Sequence, residues 1–346
     1  MPAADHKNLP PPGRDYRRLL RLMQEAVHRC RLDLSGLVVF TEAASGAYVV
    51  TPILAALAGA RTVYALTRSS PHGTIDEVAA QTNILARLAG VRDRVEIVME
   101  KRPENVARAD IVTNCGHVRP VDAAMVDWMK PSAVVPLMYE AWEFREGDVD
   151  LAACHRRGIR VAGTWEDHPA VGLSSYLGVM AVKQLFDAGL PAHGCNLLVL
   201  CDNPFRPFLK EGLVRSGARV AVQNSLSKAG RNAGRDGVLV ALRPQAGCRI
   251  GAAEAEWIGR RWPGTVVAQF WGDIDRHALE AHGVRFWPPK APALGHMGIL
   301  PSAIGPDPIV RLQAGGLKVG EILSRAAGHL TPSDERLVQL LGKARE

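Results

Sequence analysis

Four segments of this chain combine charged, hydroxyl and aromatic side chains of the kind that bind small molecules. They are TEAASGAY at 41–48, TRSSPHG at 67–73, NCGHVRP at 114–120 and MYEAWEFR at 138–145. Each follows an apolar run that predicts a strand, and open α/β sheets bind ligands outside the carboxyl ends of their strands. We therefore expect the four segments to meet at one ligand-binding edge.

The residue types in these segments indicate the class of ligand. His117 and Arg119 suit an anion or a carboxylate, and the cluster at 139–145 suits an amphipathic ligand such as a peptide or a nucleoside. A hydrogen-bonded histidine, a salt-bridged arginine and a core tryptophan at Trp142 are the plain structural alternatives. The candidate ligand-binding residues are Glu42, Ser45, Tyr48, Arg68, Ser69, His117, Arg119, Tyr139, Glu140, Trp142, Arg243 and Trp271.

Residues 197–206, LLVLCDNPFR, stand where a Rossmann domain carries its dinucleotide turn. The G-x-G-x-x-G pattern of that turn needs glycines for the tight bend, for the approach of pyrophosphate and for helix packing. Asp202 adds a negative charge where a diphosphate would lie, and no Asp or Glu follows the next apolar run at 220–222 to hold a ribose. We expect a nucleotide fold without a nucleotide, unless this alignment is displaced by a few residues. The three glycine positions hold Cys201, Asn203 and Arg206.

An alternative cofactor site lies nearer the amino terminus. Arg68 and Ser69 follow the second predicted strand, where NADP-binding domains place a basic group for the ribose phosphate. The segment 41–48 would then be the phosphate turn, with Gly46 as its only glycine. The competing interpretation is a close-packed turn with Arg68 as a solvated surface charge. We therefore predict no cofactor, with NADP as the alternative.

The elements that position these segments alternate between strands and helices. This alternation implies parallel sheets with both faces covered by helices. The fold class we predict is α/β, with two Rossmann-like domains whose parallel sheets are joined by long interdomain helices. Strands are predicted at 36–40, 62–66, 95–98, 110–113, 133–137, 197–200 and 220–222, and helices at 16–30, 49–57, 75–89 and 169–189.

The predicted domain plan has five parts. An N-terminal arm and helix occupy 1–30, and a first α/β domain occupies 31–170. An interdomain helix at 171–193 leads to a second Rossmann-like domain at 194–300. Helices at 301–346 then pack back on the first domain.

Composition excludes several other classes of protein. The 346 residues are 47% hydrophobic and 22% charged, which is typical of globular proteins. No apolar run reaches the roughly 18 residues of a membrane span, and the first residues lack an apolar signal core, so we expect a cytoplasmic protein without membrane contact. The net charge of +7 is dispersed and aromatic residues are only 5%, which makes nucleic acid an improbable partner. The six cysteines lack C-x-x-C spacing, so we predict neither a metal site nor disulfides.

Three segments resemble, in order, parts of the D-2-hydroxyacid dehydrogenases, the formate and glycerate dehydrogenase group. They are DVDLAACHRRGIRVAGT at 148–164, FWGDIDRHAL at 270–279 and LGHMG at 294–298. The resemblance implies NAD-dependent chemistry on a small carboxylate, with His296 as the proton-transferring histidine. The arginine that clamps the substrate carboxylate in that family falls on Trp271, which cannot form a bidentate fork. We therefore do not expect hydride transfer of that family's usual kind.

Three functional hypotheses follow. The first is a cofactor-independent protein that binds a peptide or a carboxylate-bearing metabolite in an interdomain cleft. Similar dehydrogenase-like proteins act in ribosomal-peptide natural-product pathways, so an accessory role in such biosynthesis is part of this hypothesis. The second is an atypical NAD(P)-dependent oxidoreductase acting on a small carboxylate or amino-acid-like substrate, with His296 as acid and base and Arg119 or Arg243 on the carboxylate. The third is a structural homodimer joined through helices such as 172–189.

Overall fold

The structure is a computed structural model that describes residues 15–229, 234–325 and 331–341. It divides into two compact units. Unit 1 comprises Met1–Leu173 and Pro306–Glu346, and unit 2 comprises Ser174–Gly305. The predicted arm at 1–14 and two parts of the predicted C-terminal helices, 326–330 and 342–346, lie outside the described residues.

Strands and helices alternate along both units, as the fold class predicted. The strands are β1 Val38–Glu42, β2 Thr62–Leu66, β3 Val95–Val98, β4 Ile111–Val112, β5 Val134–Pro136, β6 Arg160–Thr164, β7 Asn196–Cys201, β8 Arg219–Gln223, β9 Gly237–Ala241, β10 Val266–Trp271, β11 Arg285–Trp287 and β12 Val338–Leu340. The helices are α1 Tyr16–Cys30, α2 Val50–Leu57, α3 Ile75–Leu88, α4 Pro103–Val106, α5 Ala123–Trp128, α6 Leu151–Arg156, α7 Leu177–Asp187, α8 Arg206–Arg215, α9 Ala252–Arg261, α10 Arg276–Ala281, α11 Asp307–Ser324 and α12 Pro332–Leu337. Among the described residues, no helix is long and apolar enough to cross a bilayer.

The sheet of unit 1 has the strand order β12-β6-β5-β4-β1-β2-β3. All neighbouring strands are parallel except β12, which pairs antiparallel with β6. The chain runs outward from β1 through β2 to β3, then returns to β4 on the other side of β1 and continues to β6. The strand order therefore reverses between β1 and β4, and such a reversal opens a crevice at the carboxyl ends of the two strands.

Apolar side chains cover both faces of this sheet. β1, β4 and β5 are buried along their whole length, as expected for strands with helices on both sides. One core packs α1, α2 and α11 on the first face, and another packs the α4–α6 side on the second face. The helix α3 begins at a capping box in which Thr74 and Glu77 satisfy each other's backbone N–H groups.

The sheet of unit 2 has the order β11-β10-β9-β7-β8, and all its pairs are parallel. Its strand order reverses between β7 and β9. The helices α7 and α8 pack closely because two glycines meet where they cross: a Cβ added to Gly212 would lie 2.4 Å from the Gly178 Cα.

One predicted helix is shorter in the structure than in the prediction. It was predicted at 169–189, within the interdomain segment 171–193. α7 begins only at Leu177 and ends at Asp187. The residues before it form a turn in which the amides of Val171 and Gly172 both donate to the His168 carbonyl. Gly172 has a φ of +65°, a left-handed conformation that ends regular helix geometry. The apolar pattern of the sequence continued through this turn, so the pattern alone did not show the break.

A buried ion pair fixes α11 to the end of α1. The Lys318 ammonium donates to both oxygens of Glu321 at 2.9 Å and to the Arg31 carbonyl at 2.9 Å. Glu321, whose side chain is 1% exposed, also accepts from the Asp33 amide at 2.9 Å and pairs with Arg325. Because every partner depends on the same carboxylate, removal of that carboxylate leaves several buried donors unpaired.

We therefore predict that Glu321→Leu lowers the free energy of unfolding by about 3–5 kcal/mol, the usual cost of breaking a buried ion pair. Urea denaturation followed by tryptophan fluorescence measures this change. The matched control is Glu211→Leu, since Glu211 forms an exposed pair with Arg215 on α8. That control should cost less than about 1 kcal/mol. Equal losses in the two variants would contradict the prediction.

Candidate functional site

The reversal of strand order in unit 1 brings several candidate side chains to one edge of its sheet. Glu42 is the last residue of β1, and Asn114 lies two residues beyond the end of β4 on the neighbouring strand. The loop that continues from Asn114 carries His117 and Arg119. Arg68 follows β2 on the other side of β1. The four predicted segments therefore all start at the carboxyl edge of the same sheet.

Glu42 is the central acidic group of this edge. Its side chain is buried, with 6% of the residue exposed, and its Oε2 atom accepts a hydrogen bond from the His117 amide at 2.9 Å. Among the described residues, no donor is hydrogen-bonded to Oε1. Burial raises the pKa of Glu42, and the His117 amide and the Arg119 charge only partly oppose that rise.

Cationic groups lie at the same edge of the sheet as this carboxylate. Burial, followed by the nearby Arg68 charge, lowers the pKa of His117. Burial also lowers the pKa of Lys101, whose ammonium donates to the Pro120 carbonyl; the Asp122 charge opposes this change and the Arg68 charge adds to it. Arg68 itself is exposed. Like charges held together in this way favour a bound anion.

Arg119 has Asp148, and not Glu42, as its salt-bridge partner. Its guanidinium forms a salt bridge with Asp148 at 3.1 Å, and the Tyr139 hydroxyl donates to the same carboxylate oxygen at 2.6 Å. Burial and the hydrogen bond to Asp148 raise the pKa of Tyr139, so this phenol stays protonated. Arg119 and Tyr139 therefore do meet, through Asp148, a residue that the sequence analysis did not single out.

A buried polar network lies behind Glu42. Thr113 on the β4 side donates to Thr41 of β1 at 2.8 Å and to Cys115 at 3.3 Å. Cys115 in turn approaches Gln313 of α11 at 3.6 Å, and Thr51 of α2 donates to the same Gln313 oxygen at 2.9 Å. Burial raises the pKa of Cys115 to about 12, so its thiol is not a nucleophile in this state. The network orders the ends of β1 and β4 and supplies no reactive group.

Two further polar groups at this edge have buried atoms without hydrogen-bond partners. They are the Thr67 hydroxyl, which follows β2, and the Asn114 amide nitrogen. The side-chain oxygen of Asn114 does have a partner, because Oδ1 accepts a hydrogen bond from the Met138 amide at 2.8 Å. Unsatisfied buried polar groups are costly and uncommon, and they concentrate at functional sites.

Three carboxylates cluster beyond β5 and β6. Burial raises the pKa of Glu143 to about 7, and it raises the pKa of Glu166 well above its ordinary value, with the charges of Glu143 and Glu140 adding to the rise. Glu140 accepts from the Glu166 amide at 3.1 Å and from the Gln339 side chain of β12 at 3.3 Å. Trp142, which is 58% exposed, donates its indole N–H to Glu140. Among the described residues, no group of three or more His, Cys, Asp or Glu could hold a metal ion.

The corresponding reversal in unit 2 is filled by the chain's own contacts. Asp202, directly after β7, accepts from the Arg243 amide at 2.8 Å and forms a salt bridge with Arg249 at 3.0 Å. Asn203 donates to the Ala241 carbonyl at 2.6 Å and accepts from the Phe205 amide at 3.0 Å.

The start of α8 leaves little room for a phosphate. Arg206 is its first residue, and the guanidinium donates to the Val222 carbonyl at the end of β8 at 3.0 Å. Pro207, the second residue, has no amide hydrogen to offer. The Arg206 amide already donates to the Asn203 carbonyl at 3.3 Å, so the first two residues of α8 offer a phosphate no unused N–H group.

The remaining candidates lie in unit 2. Trp271 is a buried core residue whose ring packs on Phe205 at 5.3 Å and whose indole N–H donates to the Gly295 carbonyl at 3.0 Å. His296 is half-buried in the turn closed by its amide and the Ala293 carbonyl. Arg243 is exposed after β9.

The structure thus separates the candidates into groups. Glu42, Tyr48, Arg68, His117 and Arg119 belong to the reversal of unit 1. Ser45 precedes the short 3-10 turn Gly46–Val49 beside it, and Ser69 is exposed next to Arg68. Tyr139, Glu140 and Trp142 follow β5 on the same edge. His296, Arg243 and Trp271 lie in the other unit.

Sequence reasoning missed Lys101, Asp148 and the unsatisfied Asn114. Lys101 and Asp148 lie outside the four polar segments; Asp148 begins the segment 148–164 that resembles the dehydrogenases, where it was given no role of its own. Asn114 did carry a signal, because it comes directly after the apolar run of β4. The charged residues that follow it form the stronger pattern.

Comparison with known proteins adds information about the fold. No protein-family model and no curated protein matches this sequence. Among solved structures, a dipicolinate synthase component from Bacillus halodurans has a TM-score of 0.56 at 13% identity and covers 85% of this chain and 100% of its own. The corresponding dipicolinate synthase structure from Bacillus subtilis has a TM-score of 0.52 at 12% identity, covering 85% and 96%. A D-3-phosphoglycerate dehydrogenase structure from Ralstonia solanacearum has a TM-score of 0.44 at 12% identity, covering 86% and 97%.

The two dipicolinate synthase structures confirm the predicted fold. The chain has two Rossmann-like units, each with a sheet that is parallel apart from the antiparallel edge strand β12 of unit 1.

The carboxylate cluster makes stability depend on pH. The raised pKa values of Glu143 and Glu166 mean that the folded state keeps protons that the unfolded chain releases above about pH 4.5. The contribution of these two carboxyl groups to stability is therefore fully present below that pH. It is lost as the pH rises through the folded pKa, which is about 7 for Glu143.

We predict that Glu166→Gln reduces the loss of folding stability at high pH. The variant should melt at the same temperature as the wild type near pH 5 and roughly 2–4 °C higher near pH 8, the effect of about 1 kcal/mol. Thermal melting across this pH range is the measurement. Glu146→Gln removes an exposed carboxylate of the loop before α6 and should leave the pH profile unchanged. A parallel profile for Glu166→Gln and the wild type would refute the role of the cluster.

Proposed function

We propose that this protein binds a carboxylate-bearing metabolite or peptide at the carboxyl edge of the unit 1 sheet, with no dinucleotide in the turn after β7. One contrast carries this proposal. The carboxyl edge of the unit 1 sheet presents cations and two buried polar atoms without hydrogen-bond partners, whereas Asp202, Asn203 and Arg206 in the turn after β7 of unit 2 are bonded to their own chain. A ligand has interactions to gain in unit 1 and would have to break existing ones in unit 2.

The charges of the unit 1 edge support an anionic ligand. Arg68 is exposed, and Lys101 is held beside it by its hydrogen bond to the Pro120 carbonyl. Burial is the main cause of the lowered pKa of Lys101, and the Arg68 charge adds to it, so a bound carboxylate would favour the charged form of Lys101. Charge-assisted hydrogen bonds from guanidinium to carboxylate are among the strongest polar contacts in proteins.

The contacts of the β7 turn argue against a diphosphate. Asp202 would lie against phosphate oxygens, and its release from Arg249 would leave a half-buried charge pair broken. The Arg206 guanidinium covers the end of β8, where a ribose would bind in a dinucleotide domain. An accessory role in the biosynthesis of a modified peptide and a homodimeric state stay predictions.

The first test uses a charge-matched pair of variants. Arg68→Ala removes a cation at the carboxyl end of β2, and Arg61→Ala removes one directly before the amino end of the same strand. The probes are succinate, glutarate and a pool of N-acetyl amino acids, each titrated by calorimetry. We expect measurable binding that falls by about tenfold or more in Arg68→Ala, the loss of one charge-assisted hydrogen bond, and is unchanged in Arg61→Ala. Equal affinity in both variants would contradict this assignment of the site.

The second test addresses the cofactor. Thermal melting is recorded with NAD, NADH, NADP and NADPH at millimolar concentration. A ligand that binds only the folded state raises stability by RT ln(1 + [L]/Kd), about 2.7 kcal/mol at a hundredfold excess over Kd. We expect no shift with any of the four. A shift of several degrees would overturn the cofactor-independent proposal and favour the NAD(P)-dependent oxidoreductase.

A further inference from the structure

The charge balance around Glu42 is incomplete. Arg119, the nearest guanidinium to act on it, forms its salt bridge with Asp148 at 3.1 Å. The Asp148 carboxylate is buried and also accepts from Tyr139. Arg119 and Asp148 therefore neutralise each other, and no described cation is within hydrogen-bonding or salt-bridge distance of Glu42.

The geometry of Glu42 leaves one oxygen for a ligand. Oε2 is held by the His117 amide at 2.9 Å, whereas Oε1 has no donor among the described residues. The loop passes this carboxylate without a side chain at Gly116, where an added Cβ would lie 3.3 Å from Oε2 and 3.8 Å from the Arg119 guanidinium. Gly116 itself is exposed, so the carboxylate lies close beneath the surface of this loop.

A buried carboxylate without a cation is costly, since each desolvated ion loses several kcal/mol of hydration free energy. A ligand ammonium donating to Oε1 would offset this cost, because it supplies the positive partner that Glu42 lacks. Arg68 follows the end of β2 and Lys101 follows the end of β3, so both cations lie on the side of β1 that is away from β4. The same edge thus offers one negative group and, beside it, a positive group.

We propose that the ligand of this edge is zwitterionic, a free α-amino acid or a metabolite of that type, whose ammonium group binds Glu42 and whose carboxylate binds the Arg68 side of the edge. This inference rests on the proposed function, because it narrows the class of carboxylate that the site accepts. A peptide carboxyl terminus is excluded by it, since the α-nitrogen of such a residue is an uncharged amide.

The experiment compares two pools of probes on the full-length protein. One pool contains the common L-amino acids, and the other contains the same compounds with N-acetylated amines. Members of the better pool are then titrated singly by calorimetry. We expect the free amino acid to bind about tenfold or more tightly than its acetylated counterpart, the effect of one ion pair in a shielded site.

Glu42→Gln tests whether this preference comes from the proposed contact. The amide oxygen of glutamine can still accept from the His117 amide, so the loop and the fold are retained, and circular dichroism and melting verify that. The variant should bind the free and the acetylated compounds equally. Glu96→Gln removes an exposed carboxylate from β3 of the same sheet and should keep the wild-type preference.

A second readout does not depend on the variant. Because burial raises the pKa of Glu42, binding of an ammonium group should release protons. Calorimetry in two buffers of different ionisation enthalpy measures the number released, and Glu42→Gln should abolish it.

The outcomes separate the two proposals. If the acetylated pool binds as well as the free pool, or if Glu42→Gln keeps the preference, the zwitterion inference is wrong while the carboxylate site stands. If neither pool, succinate nor glutarate binds, the proposed function itself fails and the inference fails with it.

Discussion

The hydrogen bond from the His117 amide to the buried Glu42 carboxylate determines the arrangement of the unit 1 edge. It fastens the loop after β4 across the end of β1, at the point where the strand order reverses. Arg119 is then in reach of Asp148, and Asp148 in reach of Tyr139. A single acidic side chain, buried at the end of a parallel strand, thus connects three of the four polar segments.

The two reversals of strand order in this molecule have opposite electrostatic characters. In unit 2 the groups that follow β7 bond to their own chain, and Asp202 has both an arginine and a backbone amide as partners. In unit 1, burial raises the pKa of Glu42, and the Arg119 charge only partly opposes that rise. Ionisable groups with shifted pKa values and incomplete partners are a feature of binding sites, whereas completed ion pairs are a feature of structural turns.

The buried ion pair and the proposed ligand-binding edge lie in different parts of unit 1. The Lys318–Glu321 pair and its backbone partners join α11 to the end of α1, remote in sequence from the loops of the edge. Next to the edge, burial raises the pKa of Glu143 to about 7 and that of Glu166 well above its ordinary value, and their ionisation costs stability. Local destabilisation of this kind is usual beside sites that must accommodate a ligand.

The sequence by itself determined the fold class and the approximate bounds of the seven strands that it predicted; β6 and β9 to β12 had no predicted bounds. The strands predicted at 62–66 and 95–98 coincide with β2 and β3, and the other predicted strands differ by one or two residues. These elements were predictable because runs of apolar residues, alternating with amphipathic helices, have one stable arrangement in a parallel sheet. The missing glycines after β7 were likewise evident from residue types alone.

Only the tertiary structure decided which side chains meet. Asp148 lies far along the chain from Arg119, and Lys101 from Pro120, so no local pattern indicates either contact. The helix predicted from 169 to 189 failed for a related reason, because a left-handed glycine and two hydrogen bonds to His168 closed a turn inside an apolar stretch. Periodicity reports which residues are buried, but strand order, burial and charge pairing over long sequence distances arise only when the whole unit folds.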